Sequence, residues 1–391
     1  MMQDVSIVFS IFLIFTGAAL FSTIALWTRQ SLLVAYIVLG ALLGPYGFGF
    51  VADPEQIARI GDIGIIFLLF LLGLNLHPQN LWHMLRKVSW IALLSSIVFA
   101  LCGFVVASIF GFSKVDSMVI AIAMMFSSTI IGLKLLPTTI LHHQHTGEVM
   151  ISVLLLQDII AIIALLFLHG LANGHLSLHE GLIVVIGFPG ITLVAFLLER
   201  FVLVPLLTRF DQVKEYVFLV AVGWCLGLAE LAHFIGLSEE IGAFIAGVAL
   251  AASPISLYIS ESLKPLRDFF LVVFFFSIGA YFNLASLKEI GIAALILSLL
   301  ILVVKPIVFT WLLQRSGETK SVAREVGVRL GQGSEFSLLL AYLAMNGASL
   351  ISQTASYLIQ AATIITFIAS SYIVVLKYPT PIAISERMRR D

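Results

Sequence analysis

The chain has 391 residues, of which 60% are apolar and 11% charged, with a formal net charge of −1 and a mean hydropathy of +1.11. No soluble domain of this length needs so much apolar surface, whereas a bilayer takes about 20 mostly apolar residues for each spanning helix. The near-neutral charge offers no footing for nucleic acid, and a spanning β-barrel is excluded because the apolar runs are too long and do not alternate.

The sequence predicts an all-α polytopic membrane protein with thirteen transmembrane helices. In chain order they lie near 5–27, 31–50, 57–76, 88–111, 116–137, 147–172, 181–208, 215–235, 238–258, 268–284, 288–313, 322–346 and 351–376. The first run follows Met1, Met2, Gln3 and Asp4 rather than a basic stretch, so it reads as a helix and not as a cleaved signal. With the N-terminus outside, fifteen Lys and Arg residues fall on the cytoplasmic side, among them Arg29, Arg86, Lys87 and the Arg387–Arg390 cluster. Only Arg59, Lys114 and Lys288 fall outside. That asymmetry is the positive-inside pattern, and a miscounted helix would scramble it. It places the C-terminus in the cytoplasm, beside anionic membrane lipid. Cys102 and Cys225 sit in apolar runs and read as separate small hydrophobes.

The chain repeats itself. Ala35 to Gly40 resembles Ala243 to Gly247, and Phe67 to Gly73 resembles Val273 to Gly279, at offsets of 207 and 206 residues. Such an offset spans seven helices, an odd number, so the halves are expected to be inverted relative to each other, as in secondary transporters. One membrane domain then fills 1–391, with repeat one over about 1–173, a connector helix over about 181–208, repeat two over about 214–378 and a short tail at 379–391. The repeat superposes Ser127-Ser128-Thr129 on Gly333-Ser334-Glu335. Both are small, polar, poorly helical stretches inside apolar runs, and in lipid a helix breaks there only under cover of protein or water. Two equivalent breaks imply a crossed pair of discontinuous helices suited to a cation.

Asp158 lies in mid-run between Ile151–Leu156 and Ile159–Leu166. An acid at that depth costs several kcal/mol unless it is paired or solvated, so it is a functional candidate by default. Alkali cations need oxygen ligands, and one carboxylate that trades a monovalent cation for a proton is the least chemistry an exchanger requires. Gln157 adds a carbonyl beside it. Lys305, also buried, is expected to seek a carboxylate, with Asp158 and Glu335 as candidates, and to act as a prop or a proton-linked group. Glu335 reads equally well as a ligand or as a local salt bridge to Arg329. His142, His143 and His145 form a cluster at the cytoplasmic face that reads as a wet loop.

Seven stretches occur in order along the chain: GALLGPYG from Gly40, FLLGLNL from Phe70, FSSTI from Phe126, LLQDII from Leu155, GAFIAGVA from Gly242, FFFSIG from Phe274 and GQGSEF from Gly331. Together they resemble the membrane domain of the monovalent cation–proton antiporter superfamily, and within it the Kef-type potassium–proton branch. The resemblance implies a homodimeric, thirteen-helix elevator with crossed helices. It implies Asp158 as the carrier of ion and proton, Ser128 and Thr129 in the unwound crossover, and Lys305 as the buried lysine. Gln157 before the acid implies potassium; a sodium–proton antiporter on the same scaffold is the alternative. Asn75 stands where the branch commonly has an acid. No strand–GxGxxG–helix unit follows the last helix, so no nucleotide-binding domain and no cofactor are expected. An enzyme is not expected either, since HExxH and GxSxG are absent, and a channel filter is missing too.

Overall fold

The computed structural model describes residues 7–51, 54–74, 78–136, 145–172, 186–237, 239–253, 255–347 and 350–380. Asn75, His142, His143, Pro254 and the basic residues after 380 lie outside the described residues. The regular elements are helices. They are α1 (Ile7–Thr28), α2 (Leu32–Leu43), α3 (Pro54–Leu74), α4 (Pro78–Ile109), α5 (Lys114–Met124), α6 (Thr129–Lys134) and α7 (His145–Ala172). There follow α8 (Phe188–Arg209, with a π turn at Glu199–Leu203), α9 (Lys214–Phe234), α10 (Glu239–Leu250) and α11 (Ser256–Tyr281). The last are α12 (Leu287–Arg315), α13 (Lys320–Arg329), α14 (Glu335–Tyr342) and α15 (Gln353–Lys377).

Among the described residues six helical stretches are long and apolar enough to cross a membrane: Ile7–Thr28, Val88–Ile109, Phe188–Arg209, Lys214–Phe234, Leu284–Arg315 and Gln353–Lys377. The other apolar runs include two 12-residue helices, α2 and α10, and two helices interrupted in mid-run, α5/α6 and α13/α14. Hydroxyl side chains start several of these elements. Ser113 accepts from the Asp116 N–H at 3.0 Å, Thr319 from Val322 at 3.4 Å and Ser352 from Ala355 at 3.2 Å. Each such cap satisfies one orphan donor and contributes about 1 kcal/mol.

The helix boundaries carry the sequence repeat. Lys114 and Lys320 open α5 and α13, Thr129 and Glu335 open α6 and α14, and both pairs are 206 residues apart. Helices α2 and α10 have equal length and start 207 residues apart.

The chain packs as two compact units. One takes 53–83 and 165–277, the other 1–52, 84–164 and 278–391. Each draws on both halves of the sequence, so packing divides the chain along other lines than the repeat does. The first unit holds α3, α8, α9, α10 and most of α11 around a core that includes Phe67, Phe70, Val217, Leu228, Ile245 and Leu263. Here α3 and α10 touch backbone to backbone. A Cβ on Gly247 would stand 2.1 Å from the Phe70 carbonyl oxygen and 2.9 Å from the Gly73 Cα. In the second unit the relation is mirrored in the repeat. Gly279 lies against α2, where a Cβ would stand 2.0 Å from the Ile37 carbonyl oxygen. Small residues that let backbones close up are the usual means of helix association in lipid, where apolar packing has no water to escape. The second unit also packs Ile91, Phe99, Met150, Val153, Phe309 and Leu312 into one core, with the Phe99 and Phe309 rings edge to face at 5.2 Å.

Gly247→Val therefore forces α3 and α10 apart. Overpacking of this kind costs about 1–3 kcal/mol, and the melting midpoint in detergent should fall by several degrees. Gly223→Ala, where a Cβ meets nothing within 4 Å, should leave it in place.

Candidate functional site

Helices α5 and α13 stop inside their apolar runs, at Met124 and Arg329, and helix resumes at Thr129 and Glu335. Serine, threonine and glycine in the gaps are weak helix formers, and their hydroxyls compete for main-chain groups. Each gap frees carbonyls and N–H groups that a helix would have paired. Side chains from three other helices help to satisfy them, all within the second unit.

Gln157 on α7 braces the first gap. Its Oε1 accepts from the Ser127 N–H at 3.1 Å and its Nε2 donates to the Met125 carbonyl at 3.2 Å. Ser128 Oγ accepts from the Ile131 N–H at 3.0 Å, which starts α6. In the second gap Ser334 Oγ accepts from the Phe336 N–H at 3.1 Å, and Thr366 Oγ1 on α15 accepts from the Gly333 N–H at 2.9 Å. The gaps are also stitched to each other. Ser127 Oγ donates to the Leu330 carbonyl at 2.8 Å, and Gln332 Nε2 donates to the Ser128 carbonyl at 3.5 Å. Ser370 Oγ donates to Gln332 Oε1 at 3.0 Å from behind.

Lys305 on α12 occupies the junction. Its Nζ donates to the Phe126 carbonyl, to the Gln332 carbonyl at 3.0 Å and to Ser127 Oγ at 3.4 Å, with the Phe99 ring centroid 5.2 Å away. The expectation that Lys305 pairs with a carboxylate is thus corrected: it forms no ion pair among the described residues, and main-chain oxygens from both gaps take its charge. Phe126 and Gln332 end up bridged by one ammonium group, fully buried.

Asp158 sits one residue beyond the Gln157 brace and is 2% exposed. The Thr129 hydroxyl lies 3.3 Å from each of its carboxylate oxygens, and it has no cationic partner among the described residues. Glu335, the first residue of α14, is also buried. The local bridge from Glu335 to Arg329 does not form. Arg329 instead bonds Glu325 at 2.9 Å, the Leu135 carbonyl at 2.9 Å and the Pro379 carbonyl at 2.9 Å. The structure thus brings Ser127, Ser128, Thr129, Gln157, Asp158 and Lys305 together, and Glu335 lies buried at the end of the second gap.

Three contributors were not singled out from the sequence: Gln332, Thr366 and Ser370. Their signal was there, as hydroxyl and amide residues recurring every three or four positions on an apolar helix and one glutamine inside the GQGSEF stretch. Away from the crossing, His145 Nε2 contacts Glu318 at 2.7 Å and Nδ1 contacts Glu148 at 3.3 Å. No cluster of three metal-ligating side chains occurs among the described residues. Cys102 and Cys225 are free thiols.

The profile of the family described as "Sodium/hydrogen exchanger, transmembrane" matches residues 11–376. The glutathione-regulated potassium-efflux system protein KefC of Escherichia coli (strain K12) is 30% identical over 338 residues, which are 84% of this chain and 54% of that one. KefC of Salmonella typhi is 31% identical over the same shares. The chain therefore spans about half the length of the curated relatives it matches. Among solved structures, the sodium proton antiporter MjNhaP1 from Methanocaldococcus jannaschii superposes with a TM-score of 0.72, covering 93% of this chain and 96% of that one at 17% identity. The fold is that of this antiporter.

Lys305→Met keeps the length and apolar bulk of the side chain and removes every donor. Two buried carbonyls then lose a charged partner, at about 1–3 kcal/mol each. The melting midpoint of the variant should fall well below that of the native chain, and an unchanged midpoint would show that Lys305 does not hold the gaps.

Proposed function

Because the chain belongs to the sodium/hydrogen exchanger family, and so to transporters rather than enzymes, we propose that it exchanges potassium for protons across the inner membrane, with Asp158 carrying each in turn. The observation that carries this reading is a buried carboxylate held by a single hydroxyl, Thr129, at the junction of two broken helices. A carboxylate in that setting is neutral with a proton on it or neutralised by a cation, and it cannot hold both at full strength. Competition for one group couples the two flows without any further device.

The other site residues have supporting roles. Thr129 and Ser128 border the acid from the first gap, and Ser127 and Lys305 hold the gaps together, so Lys305 serves as a prop and not as a second proton carrier. Gln157 fixes the span of the first gap and with it the distance across which oxygens can face an ion. A longer amide suits the larger, less strongly hydrated potassium ion. Potassium is also the ion in the names of the KefC relatives. A sodium–proton antiporter would use the same groups and differ only in the ion chosen, which is the fold likeness that MjNhaP1 supplies.

The wider architecture belongs to the same reading. Thirteen spans in two inverted repeats, with the N-terminus outside, account for the charge asymmetry of the loops and for the 206-residue repeat in helix boundaries. The repeats comprise about 1–173 and 214–378, joined by the connector at 181–208. Alternating access follows by an elevator movement in a homodimer within membrane lipid.

Proteoliposomes carrying a pH-sensitive dye test this directly. Potassium and rubidium should drive proton flux at least ten times faster than sodium and lithium. Asp158→Asn cannot carry the proton and should leave less than a tenth of the native flux while the protein still folds. Persisting flux in that variant excludes Asp158 as the carrier, and a sodium preference replaces potassium by the alternative ion. Gln157→Asn shortens the brace and should narrow the preference between potassium and sodium before it slows exchange.

A further inference from the structure

Helix α15 has a polar face that the crossing only partly uses. Ser356, Gln360, Thr363, Thr366 and Ser370 are all buried and follow one another by three or four residues. At about 1.5 Å per residue this face runs about 21 Å along the helix. Part of it is packing. Ser356 Oγ donates to the Ala341 carbonyl at 3.4 Å, and Ser298 Oγ on α12 donates to the Ala362 carbonyl at 3.3 Å.

Two atoms in the middle are not accounted for. Gln360 Oε1 and Thr363 Oγ1 have no hydrogen-bond partner among the described residues, although their side chains are 4% and 0% exposed. They lie one turn apart on the same face, and Thr363 borders the second gap: a Cβ on Gly333 would stand 3.2 Å from its Cγ2. A dry amide oxygen and a dry hydroxyl cost about 1–3 kcal/mol each. Buried water with polar partners on both sides removes that cost. The face bears no acidic side chain from Gln353 to Lys377, so it suits neutral water and not a bare cation, which needs charge or a full oxygen shell.

The ends of this face define a direction. Toward the start of α15, Gln353 Nε2 donates to the Tyr357 hydroxyl at 2.8 Å, and Asp116 accepts from the Ser352 N–H at 2.8 Å. At the other end Thr366 and Ser370 hold Gly333 and Gln332, and the Gln332 amide reaches the Ser128 carbonyl beside the acid. We propose that ordered water between Gln360, Thr363 and the second gap forms a proton path along α15 to the crossing. This rests on the exchange function proposed above. One proton enters at the Asp116 end, each water accepts one and passes on another, and one leaves at the gap. Thr363 takes part by accepting a proton and releasing its own, whereas the Gln360 oxygen only accepts and so orients the file.

The test combines water labelling with transport. In native protein, X-ray radiolysis in ¹⁸O-water should place label on Phe367 or Tyr357, which line the same helix. Thr363→Val and Gln360→Met should lower that label at least fivefold. In proteoliposomes both variants should slow exchange at least fivefold. The potassium concentration that half-saturates thermal stabilisation should stay within twofold of native, and Thr363→Ser should restore the rate. An unlabelled α15 in native protein overturns the proposal, as do variants that exchange at the native rate. Should Thr363→Val fail to fold, the native labelling and Thr363→Ser decide. If native protein moves no protons at all, the exchange function has failed instead, and the labelling still judges the water.

Discussion

A helix that breaks inside an apolar slab exposes main-chain groups where no solvent can meet them, and each one left bare costs several kcal/mol. That constraint governs the centre of this protein. Two helices break at equivalent places, and the freed groups are paired by Gln157 from α7, Lys305 from α12, and Thr366 from α15, with Ser370 holding the Gln332 amide in place. Lys305 is the most economical of these partners. One ammonium carries three donors, and it spends two of them on carbonyls from different gaps. Charge-assisted bonds of this kind are about twice as strong as neutral ones. A lysine at this depth thus acts as a clamp, its charge solvated by peptide dipoles from both gaps.

The contrast with Asp158 is physical and local. The gaps are held by several bonds each, many of them at 2.8–3.2 Å. The carboxylate beside them has one hydroxyl partner at 3.3 Å. For the proposed exchange, a stiff frame around a weakly held acid would keep the geometry fixed while the occupant of the acid changed. If Lys305 were bonded to Asp158, every exchange of occupant would also have to rebuild the crossing. Separating the clamp from the acid would avoid that.

How far the sequence disclosed this arrangement follows from what residue identity can express. Asp158 and the two gaps were legible because a carboxylate, paired serines or a glycine cluster stand out against an apolar background. The repeat was legible because Gly73 and Gly279, equivalent in it, each meet a backbone in the structure, where a Cβ would stand 2.5 and 2.0 Å from a carbonyl oxygen. The partner of Lys305 was not legible. Peptide carbonyls are present at every residue and leave no mark in the sequence, so the search for an opposite charge pointed to acids. Glu335 misled for a related reason: it is six residues from Arg329, but a gap intervenes, and helical spacing hands the arginine Glu325 instead. Among the described residues the six long apolar helices were plain, whereas the apolar runs at 31–50 and 238–258, read as full spans, each hold a helix of only 12 residues, α2 and α10.

The bond from Ser127 to the Leu330 carbonyl joins residues 203 positions apart. Chains grow at about 5–20 residues per second, so roughly 10–40 s separate the synthesis of the first gap from that of the second. Throughout that interval Phe126, Ser127 and Ser128 are already made, while Lys305, Leu330 and Gln332 do not yet exist. Gln157 follows soon enough to brace Ser127 and Met125, but the Phe126 carbonyl has no Lys305 to pair with until the second half arrives. The crossing can therefore close only late in synthesis, and a chain interrupted before residue 330 carries the first gap without the second.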